Sequence, residues 1–391
     1  MKQLIDQFKK LKRTTSSGKL IPFVDGLRFL AIVPVVLQHA SERLLKYNSN
    51  LTVSEGLEHQ AEFLLSRGAI GVFIFFTLSG FILSLPFANT ARSFSYKRYI
   101  GRRLTRLEPP FIFWMSLFAL VLIVQGVLPI AEILERLLAS LFYSHTLVYG
   151  EFSAINPVAW SLEVEVQYYL IAPFIAMLYF YQPDKRFRRS ALAVIMLTFL
   201  AYQHSMGWHL FPIKATIMGH LQHFLLGLLL ADLYKNETAW LQKKSIIWDI
   251  LAPIALLTMA YTWSDDFGKT LLMNSAMALL FITAMKGRYF PKLLSLNGLT
   301  IIGGMCYTIY LIHLPLLELL YSFIGNFGQS TSWSMQLSIS LLIALPVILL
   351  SSMIAFKMIE QPFMKNIKFP GMGWLSGRIS TNKVTVQNHQ S

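Results

Sequence analysis

Apolar runs long enough to cross a bilayer alternate along this chain with short basic or polar connectors. The first run, Ile21–Ala40, carries one arginine, Arg28, and one histidine, His39, with no charge between them. At a helical rise of about 1.5 Å per residue they stand about 16 Å apart along the axis. Ionisable groups at such depth are costly and mark functional positions. Nine further runs follow: Gly68–Ala88, Glu108–Leu128, Pro157–Tyr181, Ala191–His204, Thr216–Tyr234, Ile246–Trp263, Thr270–Met285, Leu299–Tyr321 and Trp333–Phe356. The pattern predicts an all-α integral membrane protein of about ten transmembrane helices. Within 129–150 the stretch AEILERLLASLF is amphipathic and too charged to span, so it predicts an interfacial or re-entrant helix. Residues 1–20 read as a basic segment without a cleavable signal, 21–364 as one membrane domain, and 365–391 as a partly disordered polar tail.

Composition agrees with a membrane solvent. Only 14% of the 391 residues are charged and 54% are hydrophobic, against about 25% charged in soluble domains. The net charge of +14 would suggest nucleic acid in a soluble chain. Here loops on one side of a bilayer and anionic headgroups account for it, and no nucleic-acid partner is expected. With ten spans, one side holds only Arg43, Lys46, Arg67, Arg136, Lys214 and Lys269 among its basic residues. That asymmetry predicts both termini cytoplasmic. The single cysteine, Cys306, excludes an intrachain disulfide.

Several polar groups interrupt the apolar runs. Asp25 lies three residues before Arg28, on the same helical face, and can hold it. His39 has the chemistry of a general base near neutral pH. Ser79–Gly80 predicts a small-residue helix contact. In the basic stretch Lys97–Arg106, Arg103 and Arg106 share a helical face. With Arg28 they make a cationic cluster suited to a polyphosphate, because guanidinium groups grip phosphate in bidentate fashion. Glu163 and Glu165 point to different faces of one helix, the first toward the outer headgroups and the second inward. His220 and His223 lack a third ligand at sensible spacing, so helix–helix hydrogen bonding is expected and a metal is not. Tyr307, Tyr310 and His313 fall on one face as a polar seam, and Pro315 breaks or kinks their span. Glu360, just before Pro362, reads as a helix stop.

In this order the motifs resemble the type-3 membrane acyltransferase family, bacterial O-acyltransferases that modify cell-surface carbohydrates. Asp25–Gly26–Leu27–Arg28 and His39 match its DGLR and Arg-X10-His elements. Phe76, Leu78, Ser79, Gly80 and Phe81 match F-x-L-S-G-F, and Arg103 and Arg106 match Arg-x-x-Arg. Trp160, Ser161, Leu162, Val164, Glu165, Gln167, Tyr168 and Tyr169 match the WSL-x-VE-x-Q segment. Tyr307, Tyr310, Leu311, His313 and Pro315 match a further element, and Glu360, Pro362 and Phe363 close the series. Cys306, Val166 and the pair His220/His223 depart from the usual pattern.

The resemblance implies transfer of an acyl group, most often acetyl, from cytoplasmic acyl-CoA to a hydroxyl of a cell-surface carbohydrate or lipid-linked sugar, in the cytoplasmic membrane. It implies that Arg28, Arg103 and Arg106 bind the donor phosphates. His39 would act as general base or accept the acyl group itself, with Glu165 orienting it. Asp25, Ser79, Trp160, Ser161, Gln167, Tyr310 and His313 would support the site. A transporter or flippase would also carry ionisable groups in its spans, but without acyl transfer.

Overall fold

Without water, a spanning backbone must satisfy its own hydrogen bonds, and each apolar run folds as helix. The computed structural model describes residues 21–88, 94–324 and 331–364. The expected basic segment 1–20 and the tail 365–391 lie outside the described residues. Helix α1 is Pro22–Tyr47, α2 Leu57–Leu65, α3 Ile70–Ser84, α4 Tyr96–Gln125, α5 Ile130–Leu141 and α6 His145–Tyr149. Then come α7 Trp160–Tyr181, α8 Lys185–Ser205, α9 Ile217–Asn236, α10 Thr238–Gln242, α11 Ile246–Thr262 and α12 Phe267–Lys286. The last are α13 Phe290–Leu294, α14 Asn297–Gly304, α15 Cys306–Ile324, α16 Trp333–Ala355 and α17 Gln361–Met364.

Among the described residues, eight helical segments are long and apolar enough to cross a membrane. All ten expected spans are helical, but two fall short of that measure. Helix α11 has 17 residues, and α8 opens on Lys185, Arg186, Arg188 and Arg189. The amphipathic stretch is α5, its Arg136 paired with Glu132 at 2.9 Å and Glu151 at 2.5 Å.

Four of the differences from the sequence reading bear on the site. Helix α1 runs past Ala40 to Tyr47, because nothing in Ser41–Lys46 breaks a helix. Helix α4 begins inside the basic stretch, at Tyr96, where the Ser95 hydroxyl caps it by accepting from Arg98 N at 3.5 Å. Helix α15 continues through Pro315, and the interruption falls instead at Met305. Glu360 does not stop the chain: Phe356–Glu360 forms a π-helical turn and α17 follows directly.

Helix α3 is the centre of the bundle. Only Phe75, Ser79 and Ile82 escape full burial along it. It packs on α1 where a Cβ at Gly71 would come within 2.0 Å of Ala31 O. It packs on α9 where a Cβ at Gly80 would lie 2.1 Å from Phe224 O, and one at Gly227 2.2 Å from Thr77 O. Backbones approach this closely only through small residues, as packing between membrane helices favours. The small-residue contact expected at Gly80 is thus present, while Ser79 faces elsewhere.

Candidate active site

The three residues of α3 that escape burial line one cavity of about 130 Å3. They are spaced four and three apart, which is one helical face. Arg28 comes to this cavity from α1, Arg103 and Arg106 from α4, Ser161, Glu165 and Tyr169 from α7, and Cys306, Tyr307 and Tyr310 from α15. Seven of the residues singled out from sequence therefore meet around one cavity: Arg28, Ser79, Arg103, Arg106, Ser161, Glu165 and Tyr310.

The arginines are not equivalent. Arg28 is ion-paired to Asp25, one turn back on α1. Arg106 lies 3.5 Å from Glu360, whose side chain is fully buried and also accepts from the Thr308 hydroxyl at 2.6 Å. Arg103 packs over the Tyr99 ring, 5.8 Å from its centroid, and has no carboxylate partner among the described residues. Glu360, which reads as a helix stop in sequence, is instead the buried counter-ion of the cationic wall.

Glu165 accepts from the Ser79 hydroxyl at 2.5 Å and from the Tyr169 hydroxyl at 2.7 Å. The acid on His39 is a different one: His39 Nδ1 donates to Glu42 Oε2 at 2.9 Å. Glu42 also accepts from Gln38 at 2.7 Å, and Gln38 in turn accepts from Ala69 N at 2.7 Å. The acid in hydrogen-bond contact with His39 is therefore Glu42, where the sequence reading pointed to Glu165. The signal for it is the three-residue spacing, hidden because hydropathy ends the span at Ala40.

His39 does not line the cavity. Its ring centroid lies 5.3 Å from that of His313, and His313 lies 5.8 Å from Tyr310. The Tyr310 hydroxyl stands 2.7 Å from Ser161 Oγ and donates to Val158 O at 2.9 Å. A run of ring contacts, His39 to His313 to Tyr310, thus leads from His39 to a residue that lines the cavity. Tyr307, on the same helix face, donates to Leu107 O at 2.7 Å and ties α15 to α4.

Two supporting candidates sit apart. Gln167 accepts from Ile217 N at 2.9 Å and caps α9. Trp160 packs against Phe76 and His220, with centroids 6.1 and 5.4 Å away. His223 stacks on Phe73 and His220 lies tilted against it, beside a second cavity of about 30 Å3. Glu163, expected among solvated headgroups, is buried and accepts from Thr146 N at 3.0 Å. Among the described residues no cluster of three His, Cys, Asp or Glu is placed to hold a metal.

A bundle of apolar helices around a cavity lined by three arginines defines a multi-pass membrane protein with a polar interior. Residues 21–355 match the acyltransferase 3 family model, described as an acyltransferase domain. The chain belongs to that family. It is 24% identical over 346 residues to the O-acetyltransferase OatA of Staphylococcus aureus NCTC 8325 / PS 47, covering 81% of this chain and 53% of that protein. It is 22% identical over 388 residues to an S. aureus COL protein provisionally named an O-acetyltransferase, covering 91% and 59%. The chain thus spans little more than half the length of these curated relatives. No solved structure matches it.

Proposed function

We propose that the protein is a membrane-embedded O-acyltransferase that moves an acyl group, acetyl first among candidates, from acyl-CoA to a hydroxyl of a carbohydrate. The observation that carries this reading is the cavity, lined by Arg28, Arg103 and Arg106 together with Ser161 and Tyr310, the last leading through His313 to His39. Family membership and the relatives' printed names supply the reaction class.

In this reading residues 21–364 are one catalytic unit of about ten spans in the cytoplasmic membrane, with both termini and the arginine wall on the cytoplasmic side. The three guanidinium groups hold the donor phosphates. A water needs about 10–15 Å3 of such volume, so the cavity of about 130 Å3 has room for part of a ligand. Val72 and Tyr310 line the cavity, while Gly71 packs on Ala31 and Val35. His39 follows Val35 by about one helical turn.

His39 Nε2 takes the proton of the acceptor hydroxyl while the hydroxyl oxygen attacks the thioester carbon. The C–O bond forms, the C–S bond breaks with its electron pair on sulfur, and the proton passes to sulfur to give the thiol. Glu42 fixes the tautomer of His39, with hydrogen on Nδ1 and the lone pair on Nε2, and stabilises the imidazolium. Glu165, held by Ser79 and Tyr169, shapes the cavity wall.

The test uses the purified full chain in lipid nanodiscs with [14C]acetyl-CoA and a panel of neutral pyranose glycosides. Label on a glycoside supports the reading. Label that stays on coenzyme A with every glycoside, while a labelled glycolipid crosses vesicles containing the protein, supports a flippase instead.

A further inference from the structure

His313 is fully buried. Its Nδ1 lies 3.0 Å from Ile309 O and 2.8 Å from Tyr310 O. Both partners are carbonyl oxygens, which only accept, so Nδ1 carries the hydrogen and Nε2 the lone pair. That Nε2 is buried and makes no hydrogen bond among the described residues. Leaving a buried acceptor unpaired is costly, and native structures rarely do so without a use.

The use lies one ring away. His39 donates through Nδ1 to Glu42 and so also presents Nε2. The two imidazoles have centroids 5.3 Å apart and an interplanar angle of 37°. At that separation two imidazole nitrogens turned toward each other would come within hydrogen-bond reach. The charged groups around the pair are Glu42 and Arg43 on α1 and Glu318 on α15. Glu318 is already engaged by Arg43 and by Lys46. A carboxylate in place of His313 would set a second negative charge beside Glu42; a neutral imidazole accepts a hydrogen bond without doing so.

We propose that His313 is a positioning residue for acyl transfer: its Nε2 accepts a share of the N–H that forms on His39 and holds the imidazolium between Glu42 and itself. This rests on the acyl-transfer reading above. The acceptor's O–H bond breaks and its proton becomes the Nε2–H of His39. That proton then leaves for the departing sulfur, so His313 undergoes no net change and no further reactant is needed.

The first test compares His313→Leu and His313→Gln in nanodiscs, with [14C]acetyl-CoA and the glycoside panel. The leucine variant loses about tenfold to a hundredfold in kcat, the worth of one hydrogen bond to a charged group, with KM for acetyl-CoA unchanged. The glutamine variant, whose amide oxygen accepts, regains most of that loss. Equal losses in both variants, or a KM that rises as kcat falls, overturn the proposal. The second test needs no variant of His313 and no turnover. In the wild-type chain labelled with [15N]histidine, once acid has put a proton on His39 Nε2, a nitrogen–nitrogen coupling through that shared hydrogen joins Nε2 of the two rings, assigned by its loss in His39→Asn. Absence of that coupling across pH 5–9 overturns the proposal even if neither variant folds. A wild-type chain that shows the coupling but transfers no acetyl group overturns the acyl-transfer reading instead, and leaves the histidine contact standing.

Discussion

Glu42 accepts a hydrogen bond from His39 Nδ1 at 2.9 Å, and both residues belong to one helix, three positions apart. The contact is therefore set by helical geometry before any other element docks. Gln38 fastens Glu42 and also receives Ala69 N, so the pair is tied to the start of α3, one face of which lines the cavity.

Glu42→Gln tests the acid's part in the reaction. The amide keeps much of the shape but carries no charge to stabilise an imidazolium. Transfer is expected to fall by about a hundredfold, within the usual worth of general acid–base catalysis. KM for acetyl-CoA should not move, because Glu42 lies outside the arginine wall. Steady-state kinetics on the purified variant read both quantities.

Arg103 and Arg106 should separate by phenotype. Arg103 has no carboxylate partner among the described residues, so Arg103→Ala is expected to weaken acetyl-CoA binding about tenfold, the loss of one charge-assisted contact. Thermal stability should be close to wild type. Arg106→Ala also removes the cation 3.5 Å from the fully buried Glu360, and weakening a buried pair costs up to about 3–5 kcal/mol. Arg106→Ala with Glu360→Gln should recover stability and not donor affinity. Donor binding by equilibrium dialysis and unfolding by scanning fluorimetry distinguish these results.

Gly80→Ala addresses the packing that positions the cavity. Its new methyl would lie 2.1 Å from Phe224 O, a backbone atom that cannot swing aside. Overpacking of this kind costs about 1–3 kcal/mol. A lowered unfolding temperature is expected, with transfer falling in step because Ser79 adjoins the shifted residue. An unchanged melting curve would show that α3 and α9 are looser than this contact requires.

Much of the site was legible because an ionisable residue inside an apolar run is too costly to persist without a partner or a ligand. Arg28, Arg103 and Arg106 could be grouped from spacing and charge alone, and all three line the cavity. Glu42 was hidden because it follows the apolar run in a polar stretch. Hydropathy ends the span near Ala40, whereas the helix continues to Tyr47. Glu360 was hidden because a nearby proline usually marks an end, and only tertiary packing brings Arg106 to it. Glu163 illustrates the same limit: its backbone partner at Thr146 lies in a separate helix that periodicity does not connect to it. Local pattern reveals which groups are costly, and long-range docking decides which partner offsets the cost.

The central claim is that His39 performs the transfer while the arginine wall holds the donor. One measurement tests it most directly: acetyl transfer from [14C]acetyl-CoA to the glycoside panel by purified His39→Ala in nanodiscs, with acetyl-CoA binding measured on the same preparation. Transfer is expected to be abolished while the dissociation constant for acetyl-CoA stays within about twofold of wild type, since uniform donor binding and chemistry are separable. Transfer at the wild-type rate by that variant would contradict the claim.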